Sequence, residues 1–393
     1  GTNGTWSMQP APTFAYQWQV STDGATGWTS ATGDGNASAS YKLAAPDAWR
    51  YVRLAVTATN GFGSTTAYSS AAAASALVKP SPVLYVQNAG AASVKIYDQL
   101  ADGQLTPISP VASATVSVAS DPRTSVVSPD GRFLYVSSYS GNAISQFAVG
   151  QGGELTPLSP ATVSASGVYK LAIAPNGTGL YATGYMCSCV YQYTVNANGT
   201  LAAKTPASVT AGANMGSISV APSGSYLYAS SEGGNAVYQY AIDPSTGALS
   251  ALSPASVTAP FPGQIALTPD GQTAFVSLST TAKIAQFPIA SGKLGTATLV
   301  SLAANAGFIQ LNAAGTNAYV ASSAGNVIYP FSVASGVLTA LASVATTSPM
   351  ATVISPNGQF LYAPTNASAS IQQFAVGGGG GLTVLSPATV AAA

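Results

Sequence analysis

Apolar and polar positions alternate in short runs along most of the chain, and one such run, close to Leu-Tyr-Val, recurs seven times. Alternation with a period of two is typical of β-strands that bury one face. The central aromatic residues lie 43 to 50 residues apart, at Tyr85, Tyr135, Tyr181, Tyr228, Phe275, Tyr319 and Tyr362. A fixed spacing of this size is the sequence signature of a repeat architecture.

Three further strand signals complete each repeat. A strand ending in Gln-aromatic follows the first, as in Gln146-Phe147, and then an edge strand with Leu-Ser-Pro, as in residues 153–160. An apolar strand closed by Pro-x-Gly comes last, as at Pro129-Asp130-Gly131. Four short strands are what one blade of a β-propeller contains. Six closing strands lie between the seven aromatic strands, and we expect Ala76–Pro80 to supply the seventh and close the ring.

The repeats over roughly residues 80–393 resemble the lactonase-like family of seven-bladed propellers with Tyr-Val-Thr-Asn-type repeats. The resemblance implies a seven-bladed β-propeller. This family includes lactone-hydrolysing enzymes and many surface proteins, so the fold alone leaves the activity open.

The amino-terminal region differs from the repeats, since it holds all four tryptophans, Trp6, Trp18, Trp28 and Trp49. Between the two regions lies the small-residue stretch Ser70–Ala76. Such a shift in composition marks a domain boundary. We therefore predict one domain over residues 1–74 and a propeller over residues 75–393.

Motifs in the first domain resemble those of immunoglobulin-like modules in bacterial surface proteins: Tyr16–Gln19, Ser40-Tyr41, Asp47–Tyr51 and Val56–Asn60. The resemblance implies a β-sandwich with Trp18 in its core and Tyr51 at a tyrosine corner. The predicted fold class is therefore all-β, an immunoglobulin-like sandwich followed by a seven-bladed β-propeller. Strands expected before Trp6 are missing, which either a trimmed chain or a strand donated by a neighbouring chain explains.

The composition of the chain disfavours several classes of function and site. Charged residues make up 6% of the chain, the net charge is zero and histidine is absent. The chain thus lacks the basic footprint of a nucleic-acid-binding protein, and it lacks the commonest metal ligand and general base. No apolar run reaches the length of a membrane span. We predict no metal and no cofactor.

Candidate catalytic groups come from the residues that open the inner strands. Counting back five or six positions from each Pro-x-Gly turn gives two charged residues, Arg123 and Lys170, while Glu232 follows an aromatic strand. Such a trio can polarise a lactone carbonyl and activate water. The competing interpretation is that these are solvated charges, which the absent histidine and scarce acids favour.

The only two cysteines, Cys187 and Cys189, bracket a predicted hairpin tip. We predict a local disulfide, because an otherwise cysteine-free secreted chain rarely keeps exposed thiols. Free thiols and links to a neighbouring chain remain open. N-x-Ser/Thr sequons make five asparagines candidates for glycosylation: Asn3, Asn36, Asn176, Asn198 and Asn366.

Low charge, absent histidine and the domain pairing favour an extracellular or cell-surface structural or adhesion protein. We expect it to self-assemble into a filament or surface layer, as a homo-oligomer or polymer, by β-strand complementation. On this interpretation the chain is not an enzyme. The alternatives are a lactonase-like hydrolase acting at the propeller mouth and a glycan- or ligand-binding module.

Overall fold

The computed structural model describes residues 11–21, 26–31, 35–41, 51–70, 72–73, 82–109, 111–150, 152–366 and 368–392. The chain divides into two compact units, Gly1–Ser81 and Pro82–Ala393. Strands and turns account for nearly all described residues, which confirms the all-β prediction. The boundary predicted at residues 74 and 75 lies outside the described residues, as does the inner strand predicted at Ala76–Pro80.

The first unit is one antiparallel sheet in the order β2-β1-β3-β4, with β5 beside the start of β3. Its strands are β1 (Thr13–Ser21), β2 (Thr29–Ser30), β3 (Tyr51–Asn60), β4 (Gly63–Tyr68) and β5 (Ala72–Ala73). All strands described in this unit belong to that sheet, so the second sheet of an immunoglobulin sandwich is not evidenced. Trp6, Trp49, Asn3 and the first ten residues lie outside the described part of the unit.

The second unit consists of seven antiparallel sheets, the blades, which follow one another along the chain. Blade 1 is β6 (Val83–Asn88), β7 (Ser93–Gln99), β8 (Leu105–Pro107) and β9 (Thr115–Ser117). Blade 2 is β10 (Pro122–Val127), β11 (Phe133–Ser138), β12 (Ala143–Val149) and β13 (Leu155–Ser164). Blade 3 is β14 (Val168–Ile173), β15 (Gly179–Gly184), β16 (Cys189–Val195) and β17 (Leu201–Thr210).

The remaining blades keep the same order, with the outer strand divided in two in blades 5 and 6. Blade 4 is β18 (Met215–Val220), β19 (Tyr226–Ser231), β20 (Ala236–Ile242) and β21 (Leu249–Thr258). Blade 5 is β22 (Pro262–Leu267), β23 (Thr273–Leu278), β24 (Lys283–Ala290), β25 (Lys293–Leu294) and β26 (Thr298–Ser301). Blade 6 is β27 (Phe308–Leu311), β28 (Asn317–Ser322), β29 (Val327–Ala334), β30 (Val337–Ala340) and β31 (Val344–Ala345). Blade 7 is β32 (Val353–Ile354), β33 (Phe360–Thr365), β34 (Ser370–Val376) and β35 (Leu382–Ala391).

The blade and the sequence repeat are offset by one strand. In blade 2 the apolar strand β10 pairs with the aromatic strand β11 that follows it, through the Pro129-Asp130-Gly131 turn. Gly131 has a φ of 73°, a left-handed conformation that glycine adopts without steric cost. The strand that closes one sequence repeat is therefore the inner strand of the next blade.

In blades 2, 3, 4 and 7 the buried Gln and Tyr of the repeat join the blade to the next one around the ring. The hydroxyl of Tyr135 donates to the carbonyl of Gly199 (2.7 Å), and the amide of Leu201 donates to Oε1 of Gln146 (2.6 Å). Equivalent bonds connect the last blade to the first, from Tyr362 to Gly103 and from Leu105 to Gln373, both 2.8 Å long. Polar side chains at these repeat positions thus close the ring.

Candidate functional site

One end of the propeller, here called the mouth, collects three kinds of segment from every complete blade. The inner strand begins there, and the antiparallel second strand ends there. The turn between the second and third strands lies at the same end. Residues far apart in sequence therefore meet at the mouth because the blades form a ring.

Arg123, Tyr169 and Lys170 all lie at β-bulges at the start of inner strands. The pairing register shifts between Pro122 and Thr124 in blade 2, and between Val168 and Leu171 in blade 3. A bulge adds residues to one strand and changes the direction of their side chains. Blades 4 and 5 carry bulges at the same place.

Three tyrosines form an aromatic surface at the mouth. The ring centroids lie 6.3 Å apart for Tyr139 and Tyr169, 5.9 Å for Tyr139 and Tyr185, and 5.6 Å for Tyr169 and Tyr185. The guanidinium carbon of Arg123 lies 5.5 Å from the ring of Tyr139 and 5.8 Å from that of Tyr169. Arg123 therefore makes cation–π contacts with two of the three rings.

An ion pair holds Arg123 in this position. Its Nη2 donates to Oδ2 of Asp121 at 2.8 Å, and the hydroxyl of Ser140 donates to the same carboxylate oxygen at 2.9 Å. The Arg123 side chain is 39% exposed. The guanidinium is thus oriented by Asp121 while part of it still faces solvent.

Lys170 is half-buried beside the same ring, with its Nζ 5.5 Å from the centroid of Tyr169. Burial, with a contribution from the positive charge of Arg123, lowers the pKa of Lys170 from 10.5 to about 8. Both effects disfavour the protonated amine. A substantial fraction of Lys170 is therefore neutral at weakly basic pH, as a general base must be.

Glu232 approaches the cluster from blade 4. Burial raises the pKa of its carboxyl. The carboxylate lies beside Gly216 at the start of β18, since a Cβ added there would be in ordinary van der Waals contact with Oε1 of Glu232, at 3.6 Å. Tyr169 is close enough to Glu232 for the carboxylate to raise the pKa of the tyrosine, although burial is the larger cause.

The structure thus brings the three predicted residues, Arg123, Lys170 and Glu232, around one shared neighbour, Tyr169. Sequence reasoning missed the tyrosines. A signal was present, because Tyr139, Tyr185 and Glu232 each lie four positions after the buried aromatic residue of their blade. We call the set the mouth cluster: Asp121, Arg123, Tyr139, Tyr169, Lys170, Tyr185 and Glu232.

At the positions equivalent to the mouth cluster, charge lies on one arc of the ring. The positions equivalent to Arg123 and Tyr169 are Gly216, Gly263, Gly307 and Met350 in the next four blades. Met350 is 57% exposed. The positions equivalent to Tyr139 and Glu232 are Ser279, Ser323 and Asn366 in blades 5 to 7. At these positions blades 2 to 4, the first arc, carry the charges, and blades 5 to 7, the opposite arc, have small, polar or apolar residues. Lys283, exposed at the start of β24, lies at the mouth end of blade 5 outside these positions.

The opposite end of the propeller holds two grooves, of about 440 and 340 Å³. One contains Arg132, whose Nη1 lies 3.8 Å from Oδ2 of Asp130. The other contains Lys204, whose Nζ donates to the carbonyl of Thr246 (2.6 Å) and the hydroxyl of Thr194 (3.0 Å). These cations have local structural partners and serve below as comparison sites.

The Cys187–Cys189 hairpin also lies at the mouth, directly after Tyr185. The two sulfur atoms are bonded to each other in the structure, and the redox state of the native protein stays a prediction. Among the sequons, Asn176, Asn198 and Asn366 are exposed, Asn36 is half-buried, and Asn3 lies outside the described residues. Their glycosylation likewise stays a prediction.

Within the part of the chain that the structure describes, no three Cys, Asp or Glu side chains cluster as metal ligands would. A helix long and apolar enough to cross a membrane is not found among the same residues.

The sequence matches the profile of one protein family, described as lactonase, 7-bladed β-propeller, over residues 76–205 and 171–301. Together these matches cover more than half of the chain. The chain belongs to this lactonase family. No curated protein matches the sequence.

Solved structures similar to this member of the lactonase family share its propeller fold. A candidate 6-phosphogluconolactonase of Bacteroides fragilis is 19% identical, with a TM-score of 0.68 over 78% of this chain and 94% of its own. The periplasmic gluconolactonase of Pseudomonas aeruginosa is 21% identical, with a TM-score of 0.65 over 76% and 93%.

Membership of the lactonase family corrects the interpretation of the chain as a structural or adhesion protein that is not an enzyme. Low overall charge and the absence of histidine were the grounds for that interpretation. Low charge and absent histidine do not exclude a catalytic site, because the few charged residues can be concentrated at one place in the fold. Arg123, Lys170 and Glu232 are brought together at the mouth cluster although 6% of the chain is charged.

Proposed function

We propose that the protein is a lactonase-like hydrolase whose active site is the mouth cluster. The observation that carries the proposal is the convergence of Arg123, Lys170 and Glu232 around Tyr169 in a chain of the lactonase family. A site that hydrolyses a lactone needs a group that stabilises the developing oxyanion and a base that activates water. The mouth cluster contains candidates for both.

The proposed reaction is the addition of water to the lactone carbonyl and the opening of the ring. Arg123 donates hydrogen bonds to the carbonyl oxygen and stabilises its negative charge as water attacks the carbon. Neutral Lys170 accepts the proton of that water. The bond between the carbonyl carbon and the ring oxygen then breaks, and the ring oxygen takes up a proton, which leaves a hydroxy acid.

Glu232 and the tyrosines complete the site. Because burial raises the pKa of Glu232, its carboxyl is suited to exchanging protons with the leaving ring oxygen. The faces of Tyr139, Tyr169 and Tyr185 offer apolar surface against which the C–H face of a lactone ring packs. Arg123, already oriented by Asp121, needs little reorganisation when the substrate binds.

The first test is hydrolysis of glucono-1,5-lactone. The rate is measured from the release of acid, and the rate of spontaneous hydrolysis is subtracted. We expect turnover by the native chain and about a 100-fold lower kcat/KM in Arg123→Ala, as for the loss of one oxyanion donor. Arg132→Ala is the matched control, because Arg132 is also ion-paired and 40% exposed but lies at the opposite end. No turnover of this or other lactones, or equal losses in both variants, would refute the proposed site.

We further propose an extracytoplasmic location. The similar gluconolactonase of Pseudomonas aeruginosa is named as periplasmic, and the bonded cysteines are typical of oxidising compartments. Fractionation of cells that express the protein from its complete gene tests the location, and recovery in the cytosol would contradict it.

The immunoglobulin-like character of the first unit is also proposed. Trp18 stacks on Tyr41 at 5.7 Å, and its indole N–H donates to the carbonyl of Ser38 at 2.9 Å, which supports a core role for this tryptophan. An experimental structure without a second sheet packed on Trp18 would exclude the sandwich. Self-association by strand complementation stays a prediction that light scattering of the purified chain tests.

A further inference from the structure

A buried hydroxyl recurs two positions after the core aromatic residue in four consecutive blades. The four residues are Ser137, Thr183, Ser230 and Ser277, all with 0% exposure. Each oxygen accepts an amide N–H from the inner strand of its own blade. Each hydroxyl donates to a carbonyl at the start of the inner strand of the next blade, or directly before it in the case of Gly307. Each hydroxyl therefore joins two neighbouring inner strands across a blade boundary.

These hydroxyls replace a backbone hydrogen bond that is lost at each β-bulge. At a bulge the ladder between strands is interrupted, and an inner-strand amide loses its regular partner. In blade 2 the amide of Thr124 donates instead to Ser137 Oγ (3.2 Å), and in blade 3 the amide of Lys170 donates to Thr183 Oγ1 (3.0 Å). A buried amide without a partner is costly, so the bulge depends on the hydroxyl.

Ser137 occupies a special place in this series. Its hydroxyl accepts the N–H of the residue after Arg123 and donates at 2.7 Å to the carbonyl of Tyr169, the residue before Lys170. The peptide unit between Tyr169 and Lys170 is thus held at its carbonyl by Ser137 and at its N–H by Thr183. One serine oxygen connects the backbones that carry both cations of the mouth cluster.

We propose that Ser137 is a positioning residue that holds Arg123 and Lys170 at a fixed separation, a role that rests on the proposed lactonase function. Ser137 does not touch the substrate. Its effect passes through the two bulges, which set where the guanidinium and the amine lie relative to each other and to Tyr169.

The chain contains a matched control. Ser277 accepts the amide of Gln264 (2.8 Å) and donates to the carbonyl of Gly307 (2.7 Å) in the same geometry. No charged residue lies at these two positions. Removing either hydroxyl deletes equivalent bonds, so Ser137→Ala and Ser277→Ala should destabilise the fold similarly, as measured by thermal unfolding.

The test has one readout that does not depend on activity. Trace acetic anhydride acylates only the neutral amine of Lys170. The acylation rate, measured by peptide mass spectrometry at a series of pH values, therefore reports the protonation of this amine. The charged or titratable groups around Lys170 and its neighbour Tyr169 are Asp121, Arg123, Tyr139, Tyr185 and Glu232. We expect Ser137→Ala to let the two cations separate and solvent enter, so that Lys170 is acylated several-fold more slowly at pH 8.

Activity supplies the second readout. We expect kcat to fall about 10-fold in Ser137→Ala with a smaller change in KM, as for a misplaced catalytic group. Ser277→Ala should leave both the pH dependence of Lys170 acylation and kcat unchanged. Ser137→Thr should restore both, because Thr183 performs the same role in the next blade.

The two proposals fail separately. An unchanged Lys170 titration in Ser137→Ala, or an equal change in Ser277→Ala, overturns the positioning role whatever the activity. Absence of lactone turnover in every variant counts against the proposed function, while the altered titration of Lys170 in Ser137→Ala still supports the role of Ser137 in placing the cations.

Discussion

Blades 2 to 4 and blades 6 and 7 share one backbone plan but differ in their polar connections. The buried hydroxyl of the second strand is present as Ser137, Thr183 and Ser230, whereas Ala321 and Pro364 take its place in the later blades. The charges of the mouth cluster lie only on the first arc. The comparison teaches that the blade plan tolerates loss of these polar bonds. They are kept beside the proposed site in blades 2 to 4, and also in blade 5, where Ser277 makes them.

The inter-blade bonds divide the blades differently, because blade 7 keeps both the Tyr and the Gln bond and blade 6 does not. In blade 3, Tyr181 donates to the carbonyl of Gly247 at 2.7 Å and Gln192 accepts the amide of Leu249 at 2.6 Å. In blade 6, Pro330 stands opposite Tyr319, where blades 2 to 5 and blade 7 have glutamine. The buried Tyr319 hydroxyl has no partner among the described residues. Blade 6 therefore lacks a pair of inter-blade bonds that blade 3 makes.

The largest expected effect comes from removing the proposed base on the first arc. Lys170→Met should lower kcat/KM for lactone hydrolysis by about 100-fold or more, the contribution typical of general base catalysis. Lys204→Met is the control, because Lys204 also has a lowered pKa through burial but lies away from the mouth. Steady-state kinetics on both variants checks this, and a similar loss in both would contradict the assignment.

The pH profile should follow the titration of Lys170. Only the neutral amine accepts a proton, so kcat/KM should rise about tenfold per pH unit at low pH and level off above about pH 8. Arg123 helps to lower this pKa, so the residual activity of Arg123→Ala should level off at higher pH. Met350→Ala, on the opposite arc, should leave the inflection in place. A profile that is flat from pH 6 to 9 would exclude Lys170 as the base.

The bonds between blades should contribute unequally to stability. Gln192→Ala leaves the buried amide of Leu249 without its partner and should reduce the free energy of unfolding by about 1–3 kcal/mol. Gln286, at the equivalent position of blade 5, makes no side-chain hydrogen bond among the described residues, so Gln286→Ala should cost less. Urea denaturation of the two variants measures the difference. Equal midpoints would show that the bond to Leu249 adds nothing.

The smallest expected effect separates two buried tyrosines. Tyr181→Phe removes a hydrogen bond to Gly247 and should cost about 1 kcal/mol. Tyr319→Phe removes a buried hydroxyl that has no partner, and should leave the urea midpoint unchanged or raise it. A loss of stability in Tyr319→Phe equal to that in Tyr181→Phe would contradict the contrast between blades 3 and 6.

Much of the propeller was predictable because its signals are local. Alternation predicts the strands, and Pro-x-Gly predicts turns whose glycine is left-handed, as Gly131 and Gly177 are. The spacing of the aromatic residues predicts the number of blades. The first domain was less predictable, since its resemblance implies a sandwich whereas the described strands form one sheet.

Local pattern alone therefore settles the all-β class, the repeat and the residue types available for chemistry, because periodicity and turn geometry depend on near neighbours in sequence. Tertiary structure decides that Arg123, Lys170 and Glu232 share Tyr169, and that Tyr139 and Tyr185 join them. It also decides that Ser137 connects the backbones of both cations. These contacts arise where blades meet, between segments tens of residues apart, and neither composition nor spacing along the chain specifies them.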